Sequence, residues 1–270
     1  MLSRYALSVP RLPRARRLIH TSRPHPTTQS FLDNSSTADQ VSVYQYAHTH
    51  SQPEPPVLAS IRDAATARDP TGAQKMISPL QGTFMRHLVA TQRPKSVLEL
   101  GSYIGYSTIW LAQGLQSVPG STLCTCEIDQ AIAHIAEANI KLAGLADKVR
   151  VVNAPAELLL DEWDPTNKLD LVFVDANKSA YMRLYKKILN MDLLSDNGQI
   201  IVDNVLFHGR VHTKATTNSG LEGGVAKVEL NTKGIARKIH SFNEFVANDP
   251  RTTQVLLPIF DGLLLIQKTK

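Results

Sequence analysis

The chain has 270 residues, 43% hydrophobic and 20% charged, enough for one well-buried core with length left for a second small domain. Its net charge of +5 has a local source: residues 1–32 hold six arginines (Arg4, Arg11, Arg14, Arg16, Arg17, Arg23) and no acid, and the remainder sets 23 basic against 24 acidic side chains. That disfavours a nucleic-acid-binding body, and no window reaches the roughly 18 unbroken apolar residues of a membrane helix.

The acid-free segment 1–32 is Ser/Thr-containing and broken by proline, the composition of an organelle-targeting presequence. The run Arg16-Arg17-Leu18-Ile19-His20-Thr21-Ser22 is similar to a mitochondrial processing pattern, so mitochondrial import is expected, with a disordered basic tail on a cytoplasmic protein as the alternative. No apolar stretch follows the charges as it would in a secretory signal. Residues 33–55, rich in Pro, Ser, Thr, Gln and His, read as linker, and one domain over 56–270 accounts for the rest.

From Pro56, residues Val57, Leu58, Ile61, Ala64 and Ala65 fall near helical spacing, and Ser78-Pro79 reads as a cap and first-turn proline opening a helix through Phe84, Met85 and Leu88. Strands and helices then alternate. Strands are predicted over 96–100, 122–128, 149–152, 169–174 and 199–202. Helices are predicted over 107–115, 130–143 (closed by Gly144) and 181–190, with a short one after the third strand. Short apolar strands each followed by a helix predict a parallel sheet covered on both faces. A helix over 235–247 and two strands, 253–257 and 263–267, predict an antiparallel hairpin at the sheet edge. Cys124 and Cys126 share one face of a strand. They are poorly placed for a mutual disulfide and too few for a zinc site, so they read as small buried hydrophobes.

Ligands of an open parallel sheet bind beyond the carboxyl ends of its strands, and polar residues gather there four times. In Glu99-Leu100-Gly101-Ser102-Tyr103-Ile104-Gly105-Tyr106-Ser107, Gly101 permits a tight turn and Gly105 a close approach of backbone to ligand. The acid suits a cationic ligand end such as a methionine amino group. This G-x-x-x-G spacing departs from the G-x-G-x-x-G of pyrophosphate cradles, and alone it is equally consistent with an ordinary strand–helix turn. Glu127 is placed to accept both hydroxyls of an adenosine ribose, or else is a solvated charge near the helix cap Asp129. Asp175-Ala176-Asn177-Lys178 follows the most apolar strand and Asp203-Asn204 the fifth. Asp175, Asp203 and Asn204 offer three hard oxygen donors for a divalent cation such as Mg²⁺. Lys178 is either a general base in a dry pocket beside that cation or a solvated helix charge, and the trio favours the base.

At these residues the chain resembles the cation-dependent O-methyltransferases, the family of plant caffeoyl-CoA O-methyltransferase, with animal catechol O-methyltransferase a more distant relative. The resemblance spans about 75–267. It rests on Met76-Ile77-Ser78-Pro79, Leu98-Glu99-Leu100-Gly101 with Gly105-Tyr106-Ser107, Phe173-Val174-Asp175-Ala176, Asp203-Asn204-Val205, and Leu257-Pro258 with Asp261-Gly262. It implies an α/β, Rossmann-like class I methyltransferase fold with a mostly parallel seven-stranded sheet, an antiparallel C-terminal hairpin and helices on both faces, in a homodimer. It also implies Asp175, Asp203 and Asn204 as ligands of Mg²⁺ and Lys178 as base. Met76, Glu99, Gly101, Ser107, Glu127, Ala156, Asp175 and Tyr181 would surround S-adenosylmethionine. The acceptor would be a small hydroxylated molecule, best a vicinal diol, whose adjacent oxygens can chelate one ion.

Asn177 and Gln81 stand where the family often has acids. A segment over 212–234, with Gly220, Gly223 and Gly224, reads as a substrate lid or a surface insertion, flanked by His208 and His212. A nicotinamide-dependent oxidoreductase is disfavoured by the glycine spacing and the terminal hairpin. A non-catalytic, cofactor-binding partner protein is opposed by the intact trio and Lys178.

Overall fold

A computed structural model describes residues 37–211 and 227–269, so segment 1–32 lies outside the described residues. The chain divides into two compact units, Met1–Tyr46 and Ala47–Lys270. Helix α1 (Thr37–Thr49) crosses that boundary. The stretch read as linker is therefore helical in part. No Pro or Gly interrupts Thr37–Thr49, and the local propensity of its residues outweighs their lack of apolar periodicity. Glu54, in the same stretch, already belongs to the second unit, where Tyr106 and Arg62 donate to it.

The second unit opens with α2 (Pro56–Arg68), α3 (Pro70–Ala73) and α4 (Pro79–Gln92). Ser78 caps α4 by accepting from the Gln81 N–H at 3.2 Å, with proline in the first turn as expected from sequence. The sheet contains β1 (Ser96–Leu100), β2 (Thr122–Glu127), β3 (Val149–Asn153), β4 (Leu169–Val174), β5 (Leu194–Val202), β6 (Thr252–Leu257) and β7 (Leu263–Lys268). Their order is β3-β2-β1-β4-β5-β7-β6. The first five strands run parallel, and β7 inserts antiparallel between β5 and β6. Helices α5 (Tyr106–Gly114), α6 (Gln130–Leu142), α7 (Ala156–Asp161), α8 (Tyr181–Asn190) and α9 (Lys227–Asn248) complete the architecture expected from sequence.

Alternate side chains of the central strands enter two separate cores. Leu98, Leu100, Val172, Val174, Ile200 and Val202 pack with Leu184, Ile188, Ile239 and Phe242 of α8 and α9. Val97, Leu171, Phe173 and Ile201 pack with Met85, Val89, Ile109 and Trp110 of α4 and α5. A strand buried on both faces has no polar side to show, hence the continuous apolar runs. The strand order reverses at β1, between β2 and β4, and the crevice opens there.

Two boundaries differ from expectation. β5 begins at Leu194 rather than 199: Leu194 pairs with Leu169, and a register shift between Leu169 and Leu171 absorbs the polar residues that hid the strand. α9 begins at Lys227, so 227–234 of the segment read as lid or insertion is helical, while 212–226, including His212, lies outside the described residues. Cys124 and Cys126 are free thiols, and burial pushes Cys126 up to about 12. They behave as the apolar fillers expected.

Candidate active site

Backbone hydrogen bonds lace the strand ends into one rim. Gly101 and Ser102 donate to the Cys126 carbonyl at 3.2 and 3.0 Å, Asp175 to Leu100 at 3.0 Å, and Asp203 to Val174 at 3.1 Å. Gly101 adopts φ +100, and a Cβ there would lie 2.5 Å from the Asp175 carbonyl oxygen. Only glycine lets the first loop meet the third. Gly105, at φ +82, is also tight against the protein: a Cβ there would lie 3.3 Å from Ala136 of α6.

Glu99 points inward. Its side chain is fully buried and accepts from Ser107 Oγ at 2.7 Å, Thr108 Oγ1 at 2.5 Å and Thr125 Oγ1 at 2.6 Å. Burial outweighs those donors and pushes its carboxyl up to about 7. A carboxyl enclosed in this way anchors Ser107 and ties β1, β2 and α5 together, with Oε2 filled by two donors and Oε1 by one. Glu127 is different. Oε2 accepts the Tyr103 N–H and Oε1 the Asp129 N–H, both at 3.0 Å, which fixes the carboxylate while leaving each oxygen a lone pair for a diol. Ile128 beside it is 70% exposed, an apolar surface the sequence reading did not assign to the site. Its signal was an apolar residue between two acids at a strand end. Ala156 begins α7 half-buried, and Met76 packs against the core beneath α4.

The second half of the rim is acidic. Lys178 Nζ donates to Asp175 Oδ1 at 2.5 Å and lies 5.4 Å from the Tyr181 ring centre. Asp203, 1% exposed, accepts from Gln81 Nε2 at 2.8 Å and from the Asn204 N–H at 2.7 Å. Burial, then the charge of Asp175, pushes Asp203 up to about 7. Asp175 is also raised by burial, with Lys178 opposing. Tyr181, 1% exposed, donates to the Asp203 carbonyl at 2.9 Å, so it holds the backbone at the end of β5. Burial and the acids around it push its hydroxyl well up. Asn204 Nδ2 donates to Asp261 Oδ2 at 3.2 Å, and Asp261 Oδ1 accepts the His208 N–H at 2.5 Å.

The structure thus brings Asp175, Lys178, Tyr181, Asp203 and Asn204 together. It adds Gln81 and Asp261, which sequence spacing could not place. Asn177 is an exposed turn cap, accepting from Ser179 N–H and Oγ at 3.0 and 2.9 Å, and stays outside the cluster. His208 rests its exposed ring 5.0 Å from that of Phe207. Among the described residues no group of three or more His, Cys, Asp or Glu is arranged to hold a metal. A cation site here therefore depends on the Asn204 amide oxygen as third donor. The donor set fits a hard divalent ion, because burial raises both carboxyls, Asp175 raises Asp203 further, and one ammonium only partly offsets this.

The family model for O-methyltransferases matches residues 48–269. Catechol O-methyltransferase of Niastella koreensis is 35% identical over 150 residues, covering 54% of this chain and 66% of its own. Caffeoyl-CoA O-methyltransferase 2 of Eucalyptus globulus is 29% identical over 253 residues, covering 90% and 95%. The crystal structure of the SAH-bound methyltransferase PaMTH1 of Podospora anserina superposes with a TM-score of 0.76 at 32% identity, covering 88% of this chain and 97% of that one. This chain belongs to the O-methyltransferase family.

Proposed function

We propose that this O-methyltransferase transfers a methyl group from S-adenosylmethionine to one hydroxyl of a catechol-type vicinal diol, with a divalent cation, Mg²⁺, in the site. The observation that carries the reading is the pair of neighbouring carboxylates at adjacent strand ends, Asp175 faced by Lys178 and Asp203 beside Asn204. The relative named catechol O-methyltransferase and the SAH-bound structural relative support the acceptor and the cofactor.

When bound, S-adenosylmethionine supplies a methyl on an electrophilic sulfonium, and the cation supplies a Lewis acid that lowers the pKa of a diol hydroxyl. Asp175, Asp203 and Asn204 would hold the cation. Glu127 accepts the ribose hydroxyls through its free lone pairs, Ile128 and Ala156 offer apolar surface to the adenine, and the Gly101–Ser107 loop faces the methionine end. Lys178 takes the acceptor's proton at Nζ as the oxygen attacks the methyl carbon and the carbon–sulfur bond breaks. Fixing both reactants on one rim accounts for much of the acceleration.

The test is methyl transfer to a panel of vicinal diols and monohydroxylated analogues, with EDTA and with Mg²⁺ restored. Diol-selective turnover that EDTA abolishes supports the reading; full turnover in EDTA overturns it. We also propose mitochondrial import through 1–32, which a fluorescent fusion of that segment reports, and a homodimer, which light scattering reports.

A further inference from the structure

The geometry points to Asp261 as the positioning residue that sets which end of the Asn204 amide faces the cation donors. This rests on the reading of Asp175, Asp203 and Asn204 as a cation site. An amide presents an oxygen that can ligate a cation and an NH₂ that cannot. Asp261 Oδ2 accepts from Asn204 Nδ2 at 3.2 Å. An ionised carboxylate only accepts, so the flipped amide would set oxygen against oxygen; one orientation survives, with Oδ1 turned away from Asp261.

Asp261 is itself held firmly. It accepts the His208 N–H at 2.5 Å, its own carbonyl accepts the Leu206 N–H at 3.0 Å, and the next carbonyl, of Gly262, accepts the Val205 N–H at 3.1 Å. A Cβ on Gly262 would lie 2.7 Å from the Leu206 nitrogen, so the two segments meet backbone to backbone. The segment they clamp is strained: Asn204, Phe207 and His208 have φ of +56, +43 and +55. Left-handed residues at this density persist only where the surroundings over-determine them. Here the clamp is the turn carrying Asp261, between β6 and β7, far in sequence from the residues it aims.

The experiment measures Mn²⁺ binding to the full chain, without acceptor, by the electron paramagnetic resonance of free Mn²⁺. Asp261→Asn is made in the natural chain and again on Asn204→Asp, whose carboxylate presents an oxygen whichever way it turns. In the natural chain Asp261→Asn should weaken Mn²⁺ about 10-fold or more, the usual scale for groups that orient metal ligands. On Asn204→Asp it should cost nothing. S-adenosylhomocysteine affinity, read by calorimetry, should stay unchanged throughout. Equal weakening in both backgrounds would mean that Asp261 acts only through its charge, and no weakening in either would mean that it does not act; both overturn the inference. A natural chain that binds no Mn²⁺ overturns the cation reading and this inference with it. Wild-type binding with an unaffected Asp261→Asn overturns this inference alone.

Discussion

Glu99 and Asp203 are both buried acids at the crevice rim, each pushed up to about 7, yet their surroundings have little in common. Three hydroxyls enclose Glu99, filling Oε2 and leaving a single lone pair on Oε1. Asp203 receives one amide and one backbone N–H, stands against a second carboxylate, and keeps a lone pair on each oxygen. The same acidity thus marks a carboxyl enclosed by hydroxyls in the first half of the rim and one set against a second acid in the other half. A raised carboxyl alone does not identify a functional residue.

Replacing the open acid should have the largest effect. Asp203→Ala is expected to reduce methyl transfer about 10³-fold, with S-adenosylhomocysteine affinity within about threefold of wild type. If Glu99→Gln reduces turnover as much while binding cofactor normally, the contrast between the two acids fails.

The pH dependence of stability is the next largest. Glu99 is raised from 4.5 to about 7 on folding, so between those values the folded chain binds more protons than the unfolded one. Stability present below pH 4.5 is then lost as pH rises through 7, by about 3 kcal/mol for this one buried group. Asp203 adds a slope of the same sign in metal-free chain. Denaturant titrations across this range should show both slopes, Glu99→Gln should remove the first, and added Mg²⁺ should flatten the second. A Glu99→Gln profile as steep as wild type would show that the anchor is not titrating.

Gly101→Ala tests whether the two halves share one seam. With φ +100 and the Asp175 carbonyl 2.5 Å from the new Cβ, it should destabilise the fold by about 2 kcal/mol and impair cofactor and Mn²⁺ binding together. Loss of only one would mean that the loops move independently. The smallest effect belongs to Glu127→Ala, which should weaken S-adenosylmethionine about tenfold, read as a raised KM at nearly constant kcat.

The strand ends were legible because buried parallel strands are unbroken apolar runs, so an acid closing one stands out; Asp175, Asp203 and Glu127 were found that way. The partners of those acids were not legible. Gln81 lies 122 residues from Asp203, and Asp261 lies 57 from Asn204. No local pattern relates them, since β7 must first insert beside β5 to bring its turn to the rim. Thr125, 26 residues from Glu99, escaped for the same reason, while Thr108, nine residues on, is brought back to Glu99 only by the loop between β1 and α5. The beginning of β5 was hidden by polar residues that a register shift tolerates.

Glu54 defines how far the chain can be trimmed from its N-terminal end. Its side chain is 10% exposed and receives Arg62 Nη2 at 3.0 Å together with the Tyr106 hydroxyl, on the first residue of the helix that follows the glycine loop. A protease cut anywhere in the arginine-rich segment 1–32 leaves this trio whole. A cut beyond residue 54 would strand a buried phenol, at a cost of about 1–3 kcal/mol, and loosen the helix that carries Ser107. Any removal of N-terminal residues therefore meets an inner limit at Glu54, set by the folded body.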